Sequence, residues 1–155
     1  MEQVDESHFD ELFNMMVKGG FFTVQQILPL MKQRSAIILN TSVVTAAGIT
    51  AFSVYTAAKA AIQSFIKTFA ADLTAKGIRV NGISPGYINT NIFNNTGLNP
   101  TEIEHAVAHI IPTIPFKRFG EPAEIANAVL FPASQEASYI HGAELAVDGG
   151  LAAIW

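Results

Sequence analysis

The chain contains no cysteine, which excludes disulfide bonds and thiolate metal sites. Charge is scarce as well: 14% of residues carry it, 9 basic against 13 acidic, for a formal net charge of -4. So small an acidic surplus supplies no electrostatic attraction to nucleic acid or to an anionic membrane. Long apolar runs are missing, and none approaches the roughly 20 residues that a bilayer-spanning helix needs. The first residues, Met1-Glu2-Gln3-Val4-Asp5-Glu6, are acidic and carry no apolar stretch of the kind a secretory leader has. These absences leave a soluble cytoplasmic protein, with no nucleic-acid or membrane partner, as the expectation.

What is present is a core. Half of the 155 residues are hydrophobic, which argues against disorder and suits a single domain over 1–155. From Ser7 to about Lys32, apolar residues recur at helical spacing through Phe9, Leu12, Phe13, Met16, Val17, Phe21, Val24 and Leu28. Gly19-Gly20 inside that helix should cost about 1 kcal/mol each against alanine, so close packing on that face is expected. Ala36 to Asn40 reads as a short, fully buried strand of the parallel type. A second helix runs from about Ser53 to Lys76 and stops at Gly77 as a left-handed cap. It has one stripe of large apolar residues and one of small ones, Ala57, Ala61, Ser64, Thr68 and Ala71, which predicts burial on both sides, against a sheet and against another helix from this chain or a second subunit.

Arg79 to Ser84 is the next strand, ended by Pro85-Gly86. Residues 87–99 read as a loop, and Asn99-Pro100-Thr101-Glu102 as a capped helix start. Pro112 and Pro115 break that helix; Pro122 opens another, to about Phe131. Glu144 to Val147 makes a last strand. Helices alternating with short apolar strands imply an α/β fold around a parallel sheet.

Tyr55-Thr-Ala-Ala-Lys59 is the arrangement with chemical content. Residues i and i+4 stack on one helix face, about 5–6 Å apart at Cβ. An ammonium there favours a phenolate, and such a tyrosine can exchange a proton with an alcohol or carbonyl oxygen. Ser42 follows the first strand, at the strand end where parallel sheets bind ligands. Each residue has a plainer reading too. The pair can be a core-edge tyrosine with a snorkelling lysine, Ser42 a strand end, and Thr90 and Pro85-Gly86 ordinary turn residues. Asn81 reads as a clamp on neighbouring backbone.

The register of these segments resembles the short-chain dehydrogenase/reductase family. The resemblance runs from about Phe9 to Gly150 and rests on Ser42, Phe52-Ser-Val-Tyr55-Thr-Ala-Ala-Lys59, Ile78-Arg-Val-Asn81-Gly-Ile-Ser-Pro85-Gly86 and Gly142-Ala-Glu-Leu-Ala-Val-Asp-Gly-Gly150. It implies the C-terminal part of a Rossmann-like doubly wound sheet, about three strands with flanking helices. It also implies interconversion of an alcohol and a carbonyl with NAD or NADP. Tyr55 would be the general acid/base; Lys59 would tune it and bind the nicotinamide ribose. Ser42 would orient the substrate oxygen. Pro85, Gly86, Ile88 and Thr90 would lie along the nicotinamide amide and phosphates.

Two departures from the family pattern bear on activity. No Gly-x-x-x-Gly-x-Gly turn between a strand and a helix occurs, so the backbone cradle for a pyrophosphate is lacking. Met16 stands where the family usually has an asparagine in a proton relay to the lysine, and a thioether holds water poorly. Pro132, where leucine is usual, is a lesser departure. Two outcomes are open: a weak or inactive portion of such an oxidoreductase, or a non-catalytic assembly module forming homodimers or homotetramers. His105, His109 and Glu102 form a solvated helix face or, less simply, part of a metal site. His8 and His141 have no evident partner, and Lys32 and Arg34 read as a basic helix end.

Overall fold

A computed structural model describes residues 4–91, 97 and 99–154. The N-terminal helix forms in three pieces: α1 (Glu6–Leu12), a π-helical stretch over Phe13–Lys18, and α2 (Gly19–Ile27), closed by a 3₁₀ turn at Leu28–Leu30. Asp5 caps it, its carboxylate accepting the His8 N–H at 2.8 Å. The π-helical stretch explains how Gly19-Gly20 is accommodated. The Gly19 N–H reaches back five residues to the Asn14 carbonyl, and a Cβ on Gly19 would lie 3.3 Å from that oxygen. Among the described residues, the close packing expected on this face does not occur at Gly20. A Cβ on Gly20 would meet nothing within 4 Å.

Three strands, β1 (Ala36–Asn40), β2 (Arg79–Pro85) and β3 (Glu144–Val147), form a parallel sheet in the order β1-β2-β3. β2 is central and buried along nearly its whole length. Side chains alternate across a strand, so Arg79 and Gly82 point to opposite faces. Arg79 reaches α5 (Pro122–Ala133), and Gly82 receives Ile66 of α3 (Ser53–Leu73). The sheet is therefore covered on both sides. β1 is less buried than its composition predicts: Ile37 is buried, Ala36, Ile38 and Leu39 only half so, and Asn40 is exposed. The only strand pairing β1 makes among the described residues is with β2, so its other edge lacks a cover.

Helix α3 follows the predicted apolar stripe, burying Ile62, Ile66, Phe69 and Leu73, and ends through a 3₁₀ turn at Gly77, φ 65°. Of its small-residue stripe, Ala57, Ser64, Thr68 and Ala71 are exposed among the described residues. Helix α4 (Pro100–Ile110) starts with the predicted box: Asn99 accepts the Glu102 N–H at 3.0 Å, and Glu102 accepts the Asn99 N–H at 2.8 Å. Within the expected loop, residues 92–96 and 98 lie outside the described residues. Helix α5 runs two residues beyond Phe131, with Pro132 in its last turn. The Arg79 guanidinium donates to the carbonyls of Pro132 and Ser134, each at 2.7 Å, and so satisfies that helix end.

His141 has partners after all. Its Nδ1 accepts the Val80 N–H at 3.0 Å, which places the proton on Nε2, 2.9 Å from the Ala70 carbonyl. The ring thus ties the end of α3 to the start of β2, a link between residues far apart in sequence. His141→Ala leaves the N–H of fully buried Val80 without an acceptor, and urea unfolding should register a loss of about 1–3 kcal/mol. Arg34 is no helix end. It takes φ 69° beyond the helix and donates its N–H to Gly77 O at 2.8 Å.

Candidate active site

The ends of β1 and β2 open onto a cleft of about 360 Å³. Ser42, Tyr55, Lys59, Pro85, Gly86, Ile88 and Thr90, predicted from three separate stretches of sequence, all line it. The local structure shows how. β1 carries its ladder one residue past its end, the Thr41 N–H donating to Ile83 O at 2.9 Å. Ser42 then starts a 3₁₀ turn (Val43–Ala46), its Oγ accepting the Val44 N–H at a long 3.4 Å. The strand-end reading is correct for its backbone. The hydroxyl hydrogen remains free to donate.

Tyr55 sits in the first turn of α3, half-buried and edge-on to Phe52, ring centroids 6.1 Å apart. One turn on, Lys59 is buried; its Nζ donates to Asn40 O at 3.1 Å and lies 5.8 Å from the Tyr55 ring centroid. Desolvation pulls the Lys59 ammonium below the usual lysine range. Three donors on Nζ and one bond to carbonyl leave further N–H groups on a side chain that lines the cleft. Met16, on the π-helical stretch, is half-buried, and the polar contact of Lys59 is the Asn40 carbonyl.

The floor comes from β2. The Gly86 N–H donates to Val147 O at 3.0 Å, and a Cβ on Gly86 would lie 2.7 Å from Asp148 Cα. The chain's own backbone thus approaches closely at this glycine. Asp148 in turn caps the final turn, accepting N–H groups from Gly150 at 2.9 Å and Ala152 at 2.8 Å.

Sequence reading missed the far wall. Ile88 bridges Gly120, Tyr87 stacks on Phe119 with centroids 5.7 Å apart, and Phe119, Pro122 and Ile125 complete the lining of the cleft. The signal available was Phe119-Gly120 just ahead of a helix start, where a turn delivers side chains to the sheet end. Arg118 holds the base of α5 through two 2.7 Å bonds to the Glu124 carboxylate. With the Glu121 N–H, that pairing draws the Glu124 carboxyl from 4.5 down to about 2. Its folded value lies below its unfolded one, so its contribution is present above about pH 4.5 and is lost as pH falls towards 2. Glu124→Gln should flatten that part of the acid limb in urea unfolding and lower stability above about pH 4.5 by the same amount, which is small because the pair is exposed.

Among the described residues, no three His, Cys, Asp or Glu side chains gather as a metal site would require, and no helix is long and apolar enough to cross a membrane. His105 and His109 lie on α4.

A family model described as enoyl-(acyl carrier protein) reductase matches residues 1–152. A 3-oxoacyl-[acyl-carrier-protein] reductase, FabG, of Thermotoga maritima is 37% identical over 151 residues, covering 96% of this chain and 59% of that protein. Glucose and ribitol dehydrogenase homolog 2 of Arabidopsis thaliana is 38% identical over 153 residues, covering 97% of this chain and 51% of that one. Among solved structures, levodione reductase superposes with a TM-score of 0.90 at 31% identity, covering 99% of this chain and 61% of that one. The angucycline C-6 ketoreductase LanV with bound NADP gives a TM-score of 0.89 at 28% identity, covering 98% and 57%. The chain therefore spans a little over half the length of the curated relatives it matches.

Proposed function

The chain belongs to the short-chain dehydrogenase/reductase family, and on that premise we propose that it carries the catalytic half of an NAD(P)-dependent oxidoreductase interconverting alcohols and carbonyls. The observation that supports this most is the single cleft that gathers Ser42, Tyr55 and Lys59 at the carboxyl ends of a parallel sheet. Three proton-bearing groups of different strength face one space there.

The Ser42 hydroxyl, with its hydrogen free, holds the substrate oxygen and stabilises charge that develops on it. The Tyr55 phenol gives that oxygen a proton in reduction and takes it back in oxidation. Lys59, fixed by Asn40 O, directs its remaining N–H groups at Tyr55 and at a ribose. Ile88, Phe119 and Ile125 keep water from the reacting carbon. The nicotinamide cofactor, when bound, supplies or accepts the hydride.

The residues present fit the nicotinamide end of such a cofactor. A cleft of about 360 Å³, with exposed Thr90 in its lining, has room for a nicotinamide riboside. The pyrophosphate has no glycine-rich turn to meet in this sequence, so turnover by the chain by itself should be weak or absent. The experiment is titration of the chain with NADH and NADPH, following nicotinamide fluorescence, then a screen of small ketones. Saturable binding that Lys59→Met weakens supports the reading; a folded chain that binds neither cofactor counts against catalysis by this chain.

A second reading rests on surface chemistry. Met15, Phe22 and Leu30 are exposed on the N-terminal helix, and the small-residue stripe of α3 faces outward. A homodimer or homotetramer of cytoplasmic chains would cover them, with or without catalysis. Sedimentation as a monomer at micromolar concentration would count against it.

A further inference from the structure

Thr41 lies between two residues that the proposed chemistry uses. On one side the Asn40 carbonyl holds Lys59, and on the other is Ser42. Any shift of Thr41 therefore moves both. Thr41 is 2% exposed, and its hydroxyl is shared between Ile83 O, at 3.0 Å, and a carboxylate oxygen of Glu144. The second oxygen of Glu144 accepts from Gln63 Nε2 at 2.5 Å. Gln63 is one turn beyond Lys59 and two beyond Tyr55, on the same face of α3.

One side chain on β3 thus joins the exit of β1 to the helix that bears Tyr55 and Lys59. It reaches them across Gly82, its neighbour in the β2–β3 register. A Cβ on Gly82 would lie 3.4 Å from Glu144 Cγ and 2.2 Å from Ile66 Cδ1, so only glycine leaves this passage open. A carboxylate has two acceptor oxygens at fixed separation, and both are spent here on groups belonging to different elements.

We propose that Glu144 is a positioning residue: its carboxylate is a strut that sets the spacing of Ser42 and Asn40 O against Tyr55 and Lys59. The proposal rests on the oxidoreductase reading, because that reading gives the spacing its purpose. The geometry itself can be tested without turnover. Misplacing a reacting group by about 1 Å costs on the order of a hundredfold in rate, so a strut of this kind matters to chemistry more than to folding.

The test is NMR of the full chain, following the Lys59 side-chain ammonium and the Tyr55 ring, the latter assigned with Tyr55→Phe. Glu144→Leu removes both acceptors. It should speed exchange of the Lys59 ammonium protons by roughly tenfold and displace the Tyr55 ring resonances. Glu144→Gln keeps an oxygen for Thr41 and can pair with Gln63 after an amide flip, so it should restore the wild-type signals. Gln63→Leu cuts only the helix side and should act in the same direction, which serves if Glu144→Leu does not fold. A lower melting temperature with unchanged Lys59 and Tyr55 signals overturns the proposal, as does equal loss in Glu144→Gln and Glu144→Leu. If NADH and NADPH fail to bind even to a chain completed with a glycine-rich dinucleotide-binding segment, while the Lys59 and Tyr55 signals respond as stated, the oxidoreductase reading fails and the strut stands.

Discussion

Tyr55→Phe should remove carbonyl reduction while leaving the cleft in place. The measurement needs a complete dinucleotide site, for which the chain is fused to the N-terminal portion of LanV, the ketoreductase solved with bound NADP. In that fusion, NADPH consumption with a ketone should fall by about 10²- to 10⁴-fold, the usual contribution of a positioned acid. The aromatic ring is kept, so its edge-on contact with Phe52 and its half-buried setting persist. Circular dichroism and NADPH affinity should therefore hardly change. That separation of turnover from binding is what distinguishes a proton donor from a packing residue. Reduction that persists in the phenylalanine variant would mean that Tyr55 only borders the cleft, and the proton would have to come from elsewhere.

The same cleft shows which parts of this molecule were legible in its sequence. Local rules succeeded where a residue acts on its own neighbours. Asn99 and Glu102 satisfy each other's backbone, Gly77 adopts the left-handed turn, and Tyr55 and Lys59 stack because a helix repeats every 3.6 residues. The resemblance brought Ser42, Pro85 and Ile88 to the same place, and they do meet there. The features that escaped depend on partners distant in sequence. His141 bonds Val80 and Ala70, Arg79 bonds the end of α5, and Phe119 meets Tyr87 only after a bridge forms at Gly120.

Expectations of burial are met only in part within the described residues, for a related reason. The apolar run Ala36–Leu39 and the small stripe of α3 were read as covered on both sides, as their composition suits. Coverage depends on what else is present, and a sequence pattern records the need for a neighbour without supplying it. β1 has one free edge among the described residues, and the stripe on α3 faces outward. Gly19-Gly20 is the converse case. The cost of two helical glycines suggested a close neighbour, whereas the helix relaxes locally into a π-helical turn.

Two glycine substitutions should therefore give opposite results. Gly86→Ala places a methyl 2.7 Å from Asp148 Cα and 2.8 Å from its Cβ, with the Asp148 carbonyl oxygen at 3.2 Å. These atoms belong to, or are fixed by, backbone and cannot rotate aside. The exits of β2 and β3 must part, which strains the Gly86 N–H bond to Val147 O and disturbs Asp148, the cap of the turn that buries Leu151. Overpacking of this kind, with a weakened hydrogen bond, should cost about 2–4 kcal/mol in urea unfolding. Because Gly86 lines the cleft, NADPH affinity of the fusion should fall with it. Gly20→Ala meets nothing within 4 Å and sits in a helix, so it should raise stability by about 0.5–1 kcal/mol. A wild-type unfolding midpoint for Gly86→Ala would show that β3 can yield at Asp148, and the rigid floor argued for this cleft would have to be given up.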